Sequence, residues 1–272
     1  MSYLPKPILA ILALSSLTLF CSCVKEYDYV KQHPGAEVTG CRINMLIIPK
    51  DSLKVLPDTF WVHYNAFGDP SEMIASGRAQ NWQGDYHFRY DKYHRLTDYF
   101  WGEPALSDYR LIWHRYTYIG KSLVSDSLFT YIEHGGGPNP PLANFSHLTI
   151  DSLDAEGRII KATEPGNPPF IGYTNYNAKG NIQDPWRVYD NKLNIYHTSR
   201  VWMFIMGNYS VNNQLNRDPQ SPLIHITSYN AAGLPLMYQA DPGIIYGDVL
   251  FNNIGFHKLK VVYDCDLNNI NQ

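Results

Sequence analysis

The chain has 272 residues, a formal net charge of −3 and 17% charged residues, below the roughly 25% of an average soluble protein. That balance excludes a basic field for nucleic acid, and 44% hydrophobic with 14% aromatic residues excludes a disordered composition. The 21 tyrosines and 19 glycines suit sheets with aromatic faces and many turns.

Lys6 and the free amino terminus open the chain, and Ile8 to Phe20 then runs without a charge. The run is too short for a bilayer core of ~30 Å and fits the apolar centre of a signal peptide. Cys21, Ser22 and Cys23 follow. A cysteine directly after such a run resembles the lipobox of bacterial lipoproteins. That family wants a small residue before the acylated cysteine. Ser22 meets this for Cys23, whereas the bulky Phe20 precedes Cys21. Cys23 is therefore the expected lipidation site, with Cys21 as the alternative. Each buried CH₂ of the acyl chains contributes about 0.8 kcal/mol, so more than one chain anchors the amino terminus to a membrane. Lys25, Glu26, Tyr27 and Asp28 resemble the surface-export signal of Bacteroidetes lipoproteins, which implies an outer-membrane address, at the cell surface or on the periplasmic face.

Residues 24–40 are polar, lack periodicity and carry Pro34 and Gly35, which reads as a tether. The expected organisation is a signal peptide over 1–22, a lipidated tether over 23–40 and a single β domain over 41–272. Arg42 to Ile48 reads as a strand that Pro49 ends. Ser71 to Gln80 reads as a brief helix. Ile112 to Tyr118, Leu123 to Ile132, Phe145 to Ile150 and Lys258 to Tyr263 read as strands. Val201 to Met206 is an apolar run that fits a strand or a helical turn. Gly135 to Pro141 and Pro165 to Pro169 can continue neither element and read as loops.

One pattern recurs: an aromatic or apolar residue, then Asp or Asn, with Gly three residues later. It stands at Tyr64-Asn65…Gly68, Leu153-Asp154…Gly157, Tyr176-Asn177…Gly180, Tyr229-Asn230…Gly233 and Phe251-Asn252…Gly255. Tyr90-Asp91…His94 is a sixth copy with His in the Gly slot. The Asp or Asn accepts from backbone N–H groups ahead of it and starts a type I turn. The Gly takes φ > 0 and forms the bulge of a hairpin.

These turns resemble the tyrosine–aspartate (YD) repeat, in which Tyr-Asp-x-x-Gly-Arg-Leu marks successive hairpins. The stretch Tyr189-Asp190-Asn191-Lys192-Leu193-Asn194, with the later Asn212-Asn213, resembles Bacteroidetes lipoproteins of unknown function that carry such repeats. The resemblance touches most of residues 60–265. It implies a mainly β fold, an antiparallel meander of hairpins in an open or rolled sheet with one or two short helices. It implies no catalytic residue.

Motifs for chemistry are sparse. His134 before three glycines lacks the Gly-x-Ser-x-Gly elbow that a lipase needs. Gly120-Lys121-Ser122 has Arg115 where a phosphate-binding loop needs Gly. No His-Glu-x-x-His or Cys-x-x-Cys occurs, so neither a metal nor a cofactor is expected. Cys41 and Cys265 are a candidate disulfide, since exported compartments permit one; two separate buried thiols are the alternative. Glu103, Glu133, Glu156 and Glu164 read as solvated loop ends rather than a catalytic pair. Trp82, Trp101 and Trp186 lie near turns and are candidates for stacking on a ligand. Asp51-Ser52-Leu53, Asp126-Ser127-Leu128 and Asp151-Ser152-Leu153 resemble the O-glycosylation acceptor of exported Bacteroidetes proteins, which would make Ser52, Ser127 and Ser152 acceptors.

Two functions fit. One is a lipid-anchored envelope module, without catalysis, that binds a glycan or a partner outer-membrane protein. The other is a carbohydrate hydrolase whose carboxylate pair the sequence does not identify. Two carboxylates facing each other across a polar cleft favour the hydrolase. An aromatic patch or an unpaired sheet edge favours the binding module.

Overall fold

The structure, a computed structural model, describes residues 22–38, 40–50, 58–76, 85–101, 110–132, 142–215, 224–240 and 256–268. Residues 1–21 with Cys21, and also Ser52, Trp82, Glu103, Glu133, His134 and the Phe251 turn, lie outside them.

The chain is mainly antiparallel β. Its strands are β1 (Ile43–Ile48), β2 (Asp58–Tyr64), β3 (Pro70–Ala75), β4 (Tyr86–Tyr90), β5 (Leu96–Trp101), β6 (Arg110–Ile119), β7 (Leu123–Ile132), β8 (Leu142–Leu153), β9 (Ile159–Glu164), β10 (Phe170–Tyr173), β11 (Tyr189–Leu193), β12 (Asn212–Gln214), β13 (Ile224–Tyr229), β14 (Pro235–Ala240) and β15 (Lys258–Tyr263). Three short helices accompany them: α1 (Ser22–Gln32), α2 (Arg200–Met206) and α3 (Asp264–Asn268). Thirteen strands form one sheet in the order β10-β9-β8-β7-β6-β5-β4-β3-β2-β1-β15-β14-β13, and β11 pairs with β12 separately. β10 and β13 are the two ends, so the sheet does not close into a barrel.

Five turns share one geometry. Asn65, Asp91, Asp154, Asn177 and Asn230 each accept, on a backbone carbonyl, from the N–H three residues on, and each donates its own N–H to the carbonyl four residues on. Their side-chain oxygens accept from backbone N–H groups ahead, as Asn65 Oδ1 does from Phe67 and Asp69 at 2.9 and 3.0 Å. The residue in the fourth slot has φ of +91° at Gly68, +80° at Gly157 and +60° at His94. Register shifts fall just before these turns, at Tyr64, Tyr90 and Leu153. The carbonyl-to-N–H turn followed by a left-handed residue is the bulged hairpin.

The aromatic that leads each turn also has a job. The hydroxyl of Tyr64, at the end of β2, donates to the carbonyl of Ile43, the first residue of β1, at 2.7 Å. Tyr90 at the end of β4 donates likewise to Pro70 at the start of β3. Tyr263 at the end of β15 donates to Pro235 at the start of β14, at 2.8 Å. Each phenol reaches the carbonyl that opens the strand behind it and so fixes successive hairpins to one another.

The sheet curls around an internal hub. Thirteen flat strands would span about 58 Å at the usual strand spacing, while α2 is about 10 Å long. Yet Ile43, Phe60, Met73, Phe88, Tyr116, Val124, Ile224, Tyr238 and Val261 all share one buried cluster with Ile195, Trp202 and Met203 of the hub. Phe88 meets Trp202 edge-on with ring centroids 5.4 Å apart. The hub contains a 3-10 turn at Ile195–Thr198 followed by α2, which Ser199 caps by accepting from Val201 N–H. Val201–Met206 is therefore helical.

Two expectations need correction. Ser71 to Ala75 lies in strand β3, not a helix, because Met73 and Ala75 alternate into the core while Ser71 and Glu72 turn outward. Residues 23–40 are not a free tether. Cys23 lies in α1, whose Val30 is 0% exposed, and Val38 is buried as well. The Val38 N–H donates to the His197 carbonyl at 2.7 Å. The His197 ring, buried in the hub, lies with Nδ1 2.8 Å from the Ala36 carbonyl and Nε2 3.1 Å from that of Ser210. Burial lowers the pKa of this imidazole. The polar composition hid two valines and a backbone pairing that dock the segment.

Candidate functional site

Strand alternation on β5–β8 decides what the concave face carries. Tyr99 opposes His114, Tyr116 opposes Asp126, and Val124 opposes Asp151. These side chains, with Trp101, Ile112 and Thr149, line a cavity of about 570 Å³. Phe204 to Gly207, from α2 and its C-cap, form its far wall. The volume falls within the range of small-molecule sites.

Asp126 and Asp151 form the floor. Asp126 pairs with Thr149, so Asp151, two residues on, is its diagonal neighbour on the same face. Such neighbours stand about 7–8 Å apart. The Asp126 carboxylate is held by His114, whose Nδ1 lies 2.9 and 3.1 Å from its two oxygens. The His114 ring lies 5.5 Å from that of Tyr99 and 6.1 Å from that of Tyr116. Asp151 has no such support. It is 8% exposed, and its carboxyl has no hydrogen bond or ion pair among the described residues. Burial pushes its pKa up to about 6, and the charge of Asp126 pushes the same way. An unpartnered buried carboxyl is costly unless a ligand completes it.

The walls are aromatic. Tyr116 packs edge-on against Phe204 with centroids 4.9 Å apart. Its phenol is pushed well above the usual range, by burial first and then by Asp126, so it stays neutral. Trp101 closes the end of β5.

The convex face of the same strands carries a second aromatic row. Phe100, Trp113, Phe129 and Phe145 fall in register across β5, β6, β7 and β8, with successive ring centroids 5.3, 4.9 and 5.8 Å apart. Arg89 and Arg115 lie over Phe100 and Trp113 at 4.8 and 4.1 Å. Cross-strand pairs of this kind stiffen a sheet, here the four strands under the cavity. Trp113 Nε1 also donates to Asp98 at 2.9 Å.

The sequence candidates are dispersed. Trp101 lines the cavity. Trp186 stands 58% exposed on a turn that Asp184 closes by accepting from the Trp186 N–H, outside the cavity lining. Ser127 and Ser152 lie within β7 and β8, next to the aspartates but on the opposite face by alternation. Glu156 sits on a turn and Glu164 pairs with His147 at 3.5 Å. Cys41 and Cys265 are joined in a disulfide. Among the described residues, no group of three or more His, Cys, Asp or Glu is placed to hold a metal, and no helix is long and apolar enough to cross a membrane.

The site residues that sequence reasoning missed are Asp126, Asp151 and His114. Both aspartates stood in view as the first residues of the Asp-Ser-Leu tripeptides, where attention fell on the serine.

Fold and site together define a mainly β protein whose curled antiparallel sheet encloses an aromatic-walled cavity with an acidic floor. No protein-family model matches the chain, and no curated protein sequence does.

Proposed function

We propose that the chain is a lipid-anchored envelope protein of the outer membrane that binds a glycan in the concave cavity of its sheet. Asp151 carries this reading: a carboxyl without a partner, aimed into a cavity with walls of Tyr99, Trp101 and Tyr116. Aromatic faces stack on the apolar faces of sugar rings, and carboxyls accept from sugar hydroxyls, so this pairing of residue types suits a carbohydrate. The leader and Cys23 supply the anchor. The described segment from Tyr27 to Val38 packs against the hub, which would hold the domain near the bilayer.

A glycan array probed with residues 24–272 tests the binding. Selective binding that Trp101→Ala weakens at least tenfold is expected; no signal on any glycan overturns the reading. The anchor is tested by metabolic labelling with a palmitate analogue. Label should be lost in Cys23→Ala, or in Cys21→Ala if that thiol is the acceptor. Label that persists when both are replaced removes the anchor.

A second reading rests on the same two aspartates. A carboxylic acid with a pKa near 6 beside a second carboxylate has the makings of a glycosidase pair. Against it, both groups stand on adjacent strands of one floor, so a sugar would lie over them rather than between them. Hydrolysis of aryl glycosides that Asp151→Asn abolishes would favour this alternative.

A further inference from the structure

We infer that the ligand of this cavity bears a protonated amine, which Asp151 accepts and the Tyr99 and Tyr116 rings flank. The inference rests on the glycan reading above and narrows it to an amino sugar with a free ammonium group.

The argument is one of charge and partners. The titratable groups around Asp151 are Asp126 on β7, His114 and Tyr116 on β6, Tyr99 on β5 and, beyond the cavity lining, Tyr209. β9 presents Ile159 and Ala162, and α2 presents Phe204, Ile205 and Met206, none of which titrates. His114 is the one group among these that can carry a positive charge, and it is committed to Asp126. A ligand that brings a cation supplies what Asp151 lacks.

The kind of cation follows from the walls. A hard divalent ion such as Ca²⁺ wants six to eight oxygens, and this lining is dominated by rings. An ammonium group needs one or two acceptors and gains from aromatic faces. The cavity is also far larger than an ion, so the cation comes attached to a body that fills it. Neutral sugars satisfy the rings and leave Asp151 without its charge partner.

The folded chain, residues 24–272, is titrated with four probes at pH 5 and pH 7: a glucosamine disaccharide, its N,N′-diacetyl counterpart, cellobiose and butylammonium. Binding is read by calorimetry and amide shifts. The glucosamine disaccharide should bind at least tenfold tighter than its acetylated form. Its affinity should rise about tenfold from pH 5 to pH 7 as Asp151 ionises. Asp151→Asn should abolish both the preference and the pH dependence, while Trp101→Ala should weaken both disaccharides alike. The Asn variant removes a buried charge, so its fold should persist, and its amide spectrum checks this. Equal affinity for the acetylated disaccharide or cellobiose sinks the amine and leaves the glycan reading standing. Butylammonium binding as tightly as the amino sugar sinks the glycan reading and leaves the amine. Binding of none of the four overturns both.

Discussion

Asp264 holds Arg42, 222 residues away in sequence, in the geometry with which Asp91 holds Arg95 inside a single turn. The Arg42 N–H donates to Asp264 Oδ1 at 2.7 Å, its Nε to Oδ2 at 3.1 Å, and the Asp264 N–H to the Arg42 carbonyl at 3.0 Å. The corresponding distances at Asp91 and Arg95 are 3.0, 2.8 and 3.0 Å, and at Asp154 and Arg158 they are 2.9, 2.7 and 3.0 Å. Each guanidinium then covers a tyrosine on the next strand: Arg42 over Tyr64 at 4.9 Å, Arg95 over Tyr118 at 4.2 Å, Arg158 over Tyr176 at 4.2 Å. The strand order explains the likeness. The sheet reads as one meander from β13 to β15 and on from β1 to β10, with one hairpin link missing between β15 and β1. The Cys41–Cys265 disulfide stands where that turn would be.

The disulfide should therefore carry stability out of proportion to its local contacts. It closes residues 224 apart, for which the chain-entropy account gives up to roughly 5 kcal/mol. Urea denaturation of the Cys41→Ser, Cys265→Ser double variant should show a midpoint far below wild type, and reductant should lower the wild type toward it. Asp264→Ala should cost less, because that ion pair is half exposed. An unchanged midpoint on reduction would mean that the β15–β1 junction holds without its covalent link.

The phenols that lead the turns should each matter through one oxygen. Removing a hydroxyl that satisfies a part-buried carbonyl costs about 1 kcal/mol, more where no water replaces it. Tyr64→Phe and Tyr263→Phe are expected to lose about that much in chemical denaturation. Tyr176→Phe should lose less, since its contact with the Ile159 carbonyl is 3.4 Å long. Equal losses at all three sites would point to ring packing rather than the hydroxyl.

What the sequence made legible follows the range of the forces involved. The hairpin turns depend on four or five adjacent residues, so the Asp or Asn, the left-handed residue and the flanking alternation announced them. The hub could not be read this way. Trp202 and Met203 are buried only because strands distant in sequence fold over them. Val30 and Val38, two apolar residues in a polar stretch, give no periodicity. Asp126 and Asp151 look like turn residues until β6, β7 and β8 align and place them with His114 on one face.

The fourth slot of the turns should rank substitutions by what surrounds it. Gly157 has φ of +80° and open space around it, so Gly157→Ala should cost about 1 kcal/mol of backbone strain alone. Gly180 has φ of +78°, and an added Cβ would stand 2.7 Å from Val211 Cγ2 in the hub. Gly180→Ala should cost at least twice as much, since strain and overpacking add. His94 already bears this strain at φ +60° and recovers part of it through Asp69, 3.1 Å from its Nδ1. His94→Gly should be neutral or raise the melting temperature. A drop of several degrees would show that the Asp69 contact outweighs the strain.

Asp151 should make the fold less stable as pH rises. Its pKa in the folded chain, about 6, lies above the 3.8 of a free carboxyl. A raised value means that the folded state holds the proton more tightly than the unfolded one. That contribution is fully present below about pH 3.8 and is lost as pH climbs through 6. Asp151→Asn keeps the shape and has no proton to lose. The variant should match wild type near pH 4 and exceed it above pH 6.5, by up to about 3 kcal/mol for a shift of this size. Thermal melts of both proteins across pH 4–7.5 measure the difference. Two parallel curves would mean that Asp151 finds a partner in solution and would remove the unpaired charge on which the ligand argument stands. A widening gap would instead fit a group kept at a cost to stability for the ligand it accepts.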